Sequence, residues 1–187
     1  MDNNTFAVDT VGLRAITSEL RAGDKVILSG EIYTARDAAH SKIFQMLDDG
    51  RDLPIKLDGA IIYYAGPTPA GHGRPIGSCG PTTSGRMDAF TPRLHDLGLM
   101  ATIGKGERSK PVRDAIVRNN ALYLCAIGGA GALISKHVVN AEEIAFHELG
   151  CESIKRLTID SLPLIVGIDC HGGNIFETGR QAYCLLP

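Results

Sequence analysis

The run Leu99-Met-Ala-Thr-Ile-Gly-Lys-Gly-Glu-Arg-Ser-Lys-Pro-Val-Arg-Asp-Ala-Ile-Val-Arg-Asn-Asn-Ala-Leu-Tyr-Leu-Cys-Ala-Ile127 reads as strand, helix and strand. Residues 99–103 and 122–127 are apolar runs of strand length, and 109–119 read as a helix with Pro111 near its first turn. This alternation argues for an α/β fold with partly parallel pairing. Upstream, residues 25–30 and 31–34 form either a strand pair or one strand bent around Gly30, and residues 61–64 are a buried-strand candidate. Between them the spacing predicts a helix from Thr34 to about residue 47, with Thr34 as N-cap, Asp37 in the capping-box position and Gly50 as the stop. Residues 1–22 read as a leader with one short helical piece over 11–21. Downstream, 128–136 read as a Gly/Ala-rich helix start, 163–168 as a strand, and 170–174 as a turn. The β-rich ends argue for mixed sheets. The expected unit is one domain over residues 1–187, with 1–10 and 180–187 peripheral.

Bulk properties narrow the function classes. A chain of 187 residues with 44% apolar and 21% charged residues is globular, and can bury a core without metal or disulfide support. A net charge of -2 gives no reason to expect a nucleic-acid partner. No stretch approaches the length of a membrane span, and Met1-Asp2-Asn3-Asn4 is unlike a signal peptide, so a cytoplasmic location is expected. The five cysteines, Cys79, Cys125, Cys151, Cys170 and Cys184, are odd in number with no C-x-x-C spacing. They suggest neither a disulfide framework nor a metal-ligating set.

Residues 66–85 stand apart. Six glycines and four prolines there leave too little side chain for a core and forbid a regular ladder, and a long structureless loop in a compact domain is usually functional or disordered. From Thr82 the chain turns helical, with Met87, Phe90, Leu94 and Leu97 on one face and Pro92 as a point of kinking or splitting. Cations then sit where helix dipoles disfavour them. Arg36 falls in the first turn of the Thr34 helix and Arg86 in the first turn after Gly80-Pro-Thr-Thr-Ser-Gly85. Lys105 lies in Gly104-Lys-Gly106, between a strand end and the next helix. Three such cases, two beside Gly-rich turns, suggest a convergent anion site, because glycine admits a ligand to the backbone and cations match its charge. A P-loop is the poorer reading, since Gly106 replaces the Ser/Thr after Lys105. Thr82 and Arg86 would share a helix face, and cations around the Thr82 hydroxyl would make its alkoxide less costly; the alternative is that Thr82 or Thr83 is simply an N-cap.

Gly80-Pro-Thr-Thr-Ser-Gly-Arg-Met-Asp88, followed by Gly104-Lys-Gly-Glu-Arg-Ser109, resembles the catalytic region of class I fumarases, which the beta subunit of tartrate dehydratase shares. Thr34-Ala-Arg-Asp-Ala-Ala-His40, Tyr64-Ala-Gly-Pro67, Ile127-Gly-Gly-Ala130, Glu148-Leu-Gly150, Ile168-Asp169 and Gly173-Asn174 fit the same pattern. The resemblance implies a swivelling β/β/α-type domain and a hydro-lyase that reversibly hydrates fumarate to malate. It implies a 4Fe–4S cluster with one open iron, held by three cysteines of a separate alpha subunit, and hence a heteromer of two alpha and two beta chains that is inactive without that partner. It implies no metal ligand in this chain. By the same resemblance Arg36, Arg86 and Lys105 bind the substrate carboxylate, Arg86 and Lys105 stabilise the intermediate, and Thr82 is the candidate base. His40, one turn after Arg36, is a candidate to orient it, and Asp88 is either a neighbour that supports Arg86 or a helix N-terminal acid.

Tartrate or another 2-hydroxy dicarboxylate would use the same cations, so the sequence separates substrates weakly. Ser84-Gly85-Arg86 and the glycines at 128–129 resemble the fumarase pattern more. A non-catalytic assembly module would have eroded these residues, and all are present.

Overall fold

The chain, described over residues 4–183 in a computed structural model, is built of interspersed strands and helices. In order come β1 (Thr5–Asp9), α1 (Leu13–Ile16), β2 (Lys25–Thr34), α2 (Asp37–Asp48) and β3 (Ile61–Tyr63). A 3-10 turn (Ser84–Met87), α3 (Thr91–Asp96), β4 (Ala101–Gly104), α4 (Lys110–Arg118) and β5 (Leu122–Cys125) follow. The remainder is α5 (Gly131–Ile134), a 3-10 turn (Ser135–His137), β6 (Val138–Ala145), a 3-10 segment (His147–Glu152), β7 (Ile154–Ile168) and α6 (Ile175–Tyr183). Residues 1–3 and 184–187 lie outside the described part, including the start Met1-Asp2-Asn3, Cys184 and the end of the stretch expected to be peripheral.

The α/β expectation with mixed sheets holds. Strands run in the order β1-β2-β3-β4-β5-β7-β6, and a further pairing of β2 with β7 closes β2, β3, β4, β5 and β7 into a barrel-like ring. β2, β3, β4 and β5 are mutually parallel, whereas β7 is antiparallel to β2, β5 and β6. The central strands are covered on both faces, so they read as continuous apolar runs. Alternation within them still divides two environments. Ile61, Tyr63, Ala101, Ile103, Leu122 and Leu124 join one core with β2 and β7. Ile62 and Tyr64 pack with Ala39 and Ile43 of α2 and Leu94 of α3, while Tyr123 packs with Val112 and Ile116 of α4.

Gly30 resolves the first sequence ambiguity in favour of one bent strand. It has φ +110, and the β2–β7 register shifts between Leu28 and Gly30. The bend lets β2 pair with β1 through its first half and with β3 at its end.

Several sequence expectations are corrected. Residues 5–9 form a strand parallel to β2, and helix in the leader is limited to Leu13–Ile16. Thr34 does not cap a helix. It ends β2, donates its hydroxyl to Ser153 O at 3.3 Å and accepts from Lys155 N at 3.1 Å. α2 starts at Asp37 with Arg36 as its extended N-cap residue, so Arg36 lies just before the helix rather than in its first turn. The splitting at Pro92 that the sequence allowed is realised: Pro92 lies in the first turn of α3, and only the Ser84–Met87 3-10 turn precedes it. Only four residues of the 128–136 segment are α-helical. β6 and the first half of β7 carry too many exposed charges to read as strands.

Candidate active site

The parallel strands all deliver their C-terminal ends to one rim, where open α/β sheets place their ligands. Arg36 follows β2, Gly66 follows β3, Lys105 follows β4 directly, and Gly128 follows β5. Arg36 and Lys105 therefore share one end of the sheet.

Arg36 and Arg86 meet through Asp37. Arg86 Nε donates to Asp37 Oδ1 at 2.8 Å, and Arg36 Nη2 lies 3.7 Å from Asp37 Oδ2. Arg36 Nη2 also lies 3.3 Å from Glu152 Oε1, whose other oxygen accepts from Ala38 N at 3.1 Å. Glu152 thus caps the start of α2, where an acid is favoured, and holds the arginine beside it. Gly66 makes room for this guanidinium, since a Cβ there would stand 2.9 Å from Arg36 Nη1. Arg86 is half exposed, with its Nε engaged by Asp37.

Residues 81–83 lie across the ends of β3 and β4. Pro81 pairs with Ala65, Thr83 pairs with Lys105, and between them Thr82 N donates to Tyr64 O at 2.7 Å. Thr82 and Lys105 are therefore brought together by backbone pairing, one short turn from Arg86. Thr83 is the N-cap residue of the 3-10 turn but makes no side-chain cap bond, so the simple capping alternative is not realised. Lys105 extends over Gly128, where a Cβ would stand 3.8 Å from Nζ. Among the described residues its ammonium has no ion-pair partner. Arg36 and Arg86 thus share the Asp37 carboxylate, and Glu152 sets a second carboxylate beside Arg36.

His40 is fully buried against Tyr64 and Phe90. Its Nδ1 donates to Arg36 O at 2.8 Å, so it holds the backbone of Arg36 and not the guanidinium. Burial drives its pKa down to about 4, leaving the ring neutral. Asp88 pairs not with Arg86 but with Arg108, accepting from Nε at 2.7 Å and from Ser109 N at 2.6 Å.

Arg108 is the residue that sequence reasoning missed. Its side chain is fully buried, donates to Thr102 Oγ1 at 3.1 Å and Thr91 Oγ1 at 2.7 Å, and stacks on the rings of Tyr64 and Tyr123. Burial opposes its charge, but Tyr64 and Asp88 more than offset that and raise its pKa. It lies in a loop between Glu107 and Ser109, where no periodicity marks a buried position.

The described residues do not fit an iron–sulfur cluster. Among them no three His, Cys, Asp or Glu side chains converge as a metal-ligand set, and burial pushes Cys79 to about 12 and Cys125 to about 11, away from the thiolate form that ligation requires. A cleft of ≈ 370 Å³ lined by Pro67, Thr68, Ile76, Cys151 and Lys155 flanks the cations and contains none of the four candidates. No helix among the described residues is long and apolar enough to cross a membrane.

The fold is a mixed α/β ring that carries Arg36 and Lys105 at the ends of its parallel strands, with Arg86 bridged to Arg36 through Asp37. The chain belongs to the family described as Fumarase C-terminus, which it matches over residues 2–179. It is 37% identical over 167 residues to fumarate hydratase 2 of Leishmania major, covering 88% of this chain and 29% of the relative. It is 39% identical over 165 residues to the putative L(+)-tartrate dehydratase subunit beta of Methanocaldococcus jannaschii, covering 85% of each. The Escherichia coli L(+)-tartrate dehydratase subunit beta is 31% identical over 170 residues, 88% of this chain and 83% of the relative. The chain spans less than a third of the length of the fumarate hydratases it matches.

Proposed function

We propose that this chain is the beta component of a class I fumarate hydratase, acting in reversible hydration of fumarate to malate, with a 4Fe–4S cluster held by a separate alpha subunit. The observation that carries the reading is the Arg36–Asp37–Arg86 bridge, with Lys105 joined by backbone pairing to the turn that carries Arg86. Arg36 and Arg86 bind a substrate carboxylate, Lys105 steadies the negative charge that grows as the carbon-bound proton leaves, and Thr82 receives that proton. Fixed cations around Thr82 lower the cost of its charged form. Two relatives named as subunit beta support a two-chain enzyme, and a heteromer of two alpha and two beta chains is the assembly proposed. The same relatives favour a second reading in which the substrate is L(+)-tartrate.

Turnover of malate against L(+)-tartrate by the complex purified with its partner separates the two. Arg86→Ala tests catalysis itself. Activity of the complex is expected to fall by about 10³-fold or more, with little loss of stability because the side chain is half exposed. Unchanged turnover would favour a purely assembling role.

A further inference from the structure

Tyr123 sits in β5, wholly buried, yet its ring faces outward from the barrel toward the loops of the anion site. Its hydroxyl donates to Gly106 O at 2.8 Å, and Ser84 Oγ lies 3.0 Å from it. A carbonyl only accepts, so Tyr123 spends its proton on Gly106 and Ser84 is the donor in the second bond. Gly106 is the residue after Lys105. Ser84 opens the turn that carries Arg86, and its own N donates to Lys105 O at 2.9 Å.

Other contacts tighten the same junction. A Cβ on Gly104 would collide with Ser84 Oγ and stand 3.1 Å from the Tyr64 ring, so the two loops close to backbone contact. The Arg108 guanidinium lies 5.0 Å from the Tyr123 ring centroid and bonds Asp88, the residue that ends the Arg86 turn. Burial pushes the Tyr123 pKa well above its ordinary value, so the hydroxyl keeps its proton.

We propose that the Tyr123 hydroxyl is a positioning group, bonding Gly106 O and Ser84 Oγ so as to fix Lys105 against the turn that carries Arg86. The inference rests on the anion site proposed above. Tyr123 touches no ligand in this arrangement; it acts through the two loops that it ties.

Tyr123→Phe, measured in the complex with its cluster-bearing partner, tests this. Misplacing a charged group by about 1 Å costs on the order of 10²-fold in rate. The expected result is a loss of that size in kcat, with KM for the dicarboxylate within about threefold of wild type, because Arg36 and Arg86 still bind the carboxylate. Leu20→Ala, buried just before the N-terminal end of β2 and far from the rim, supplies a variant destabilised without touching the loops. It is expected to keep kcat. Ser84→Ala removes one arm of the tie and carries the test if Tyr123→Phe does not fold. The double variant should be no slower than Tyr123→Phe alone, since both act through one bond. A kcat within about twofold of wild type, a loss confined to KM, or an equal loss in Leu20→Ala overturns the positioning role. Lys105→Ala separates the two claims. If it abolishes turnover while Tyr123→Phe does not, the tie alone is wrong; if it leaves turnover intact, the anion site falls and the tie with it.

Discussion

Asp37 shows how one side chain serves two neighbours. Its carboxylate engages Arg86 through Nε, which fixes the plane of the guanidinium and leaves its terminal nitrogens for a ligand. Lysine cannot divide its donors in that way. Arg86→Lys is therefore expected to lower kcat/KM of the complex by about 10²-fold, with unfolding stability within about 0.5 kcal/mol of wild type, as for other exposed ion pairs. Steady-state rates and a urea titration check the two halves, and full activity with lysine would contradict the geometry. Gly66→Ala probes the other arginine, because a methyl group 2.9 Å from Nη1 and 3.2 Å from Cδ must displace Arg36. Activity should fall while the fold survives, since Arg36 lies near the surface. The sequence singled these cations out as sitting at helix starts, although Arg36 precedes α2 and Arg86 lies in a 3-10 turn. Asp37 was legible only as a helix acid, and Arg108 not at all: a buried cation is identified by hydroxyls and rings from four separate segments, which adjacency in sequence cannot show.

At the scale of elements, β2 and β7 are the two long strands that the rest is hung upon. Each is bordered along one edge by the other, and along its second edge by two shorter strands. β2 was legible as either a strand pair or one bent strand, because Gly30 interrupts an apolar run, and the structure resolves it as one strand. β7 was half hidden, since Lys155, Arg156 and Asp160 break its apolar pattern and Pro163 reads as a strand start, although it pairs with Ile27 inside the strand. The short helices were misjudged in length because Pro92 and the glycines near 128–131 fix their starts more strongly than apolar spacing does. Gly30→Ala is expected to destabilise by about 2 kcal/mol or more, combining an unfavourable φ of +110 with a Cβ that meets Asp9 Oδ2 at 2.8 Å and collides with Thr10. Denaturant unfolding gives the value, and a neutral result would mean that the bend is not fixed there. Arg108 ties the starts of α3 and α4 to β4, so Arg108→Met should cost about 3–5 kcal/mol by leaving the Asp88 carboxylate without its cation, with only Ser109 N still bonded to it. Adding Asp88→Asn to it should cost less than the sum of the single changes, which a double-mutant cycle reads directly.

For the whole molecule, the two buried histidines make stability depend on pH well before most carboxylates titrate. His40 and His95 each donate Nδ1 to a backbone carbonyl, Arg36 O and Leu99 O, and each leaves Nε2 buried without a partner. Burial is the largest cause of their lowered pKa values, both about 4 against 6.5 in the open chain, and the Arg108 charge adds to it. The folded protein therefore prefers both rings neutral, and unfolding between these values takes up protons. Their contribution is fully present above about pH 6.5 and is lost as pH falls toward 4, approaching several kcal/mol for the pair at the lower end. That is a large part of the roughly 5–15 kcal/mol that holds a domain folded. The carboxylate window lies lower: Glu143, held down to about 2 by His147, Ser153 and Lys155, loses its effect only below the ordinary carboxylate value of 4.5. Urea midpoints should accordingly fall from about pH 6.5 to 4.5, with a proton uptake near two. His95→Asn, which keeps a donor for Leu99 O, should reduce that uptake by about one while shifting the midpoint little at neutral pH. A midpoint that stays level across this interval would show that both rings already find room for a second proton in the folded state, and that the layer between the sheet and helices α2 and α3 is wetter than its packing indicates.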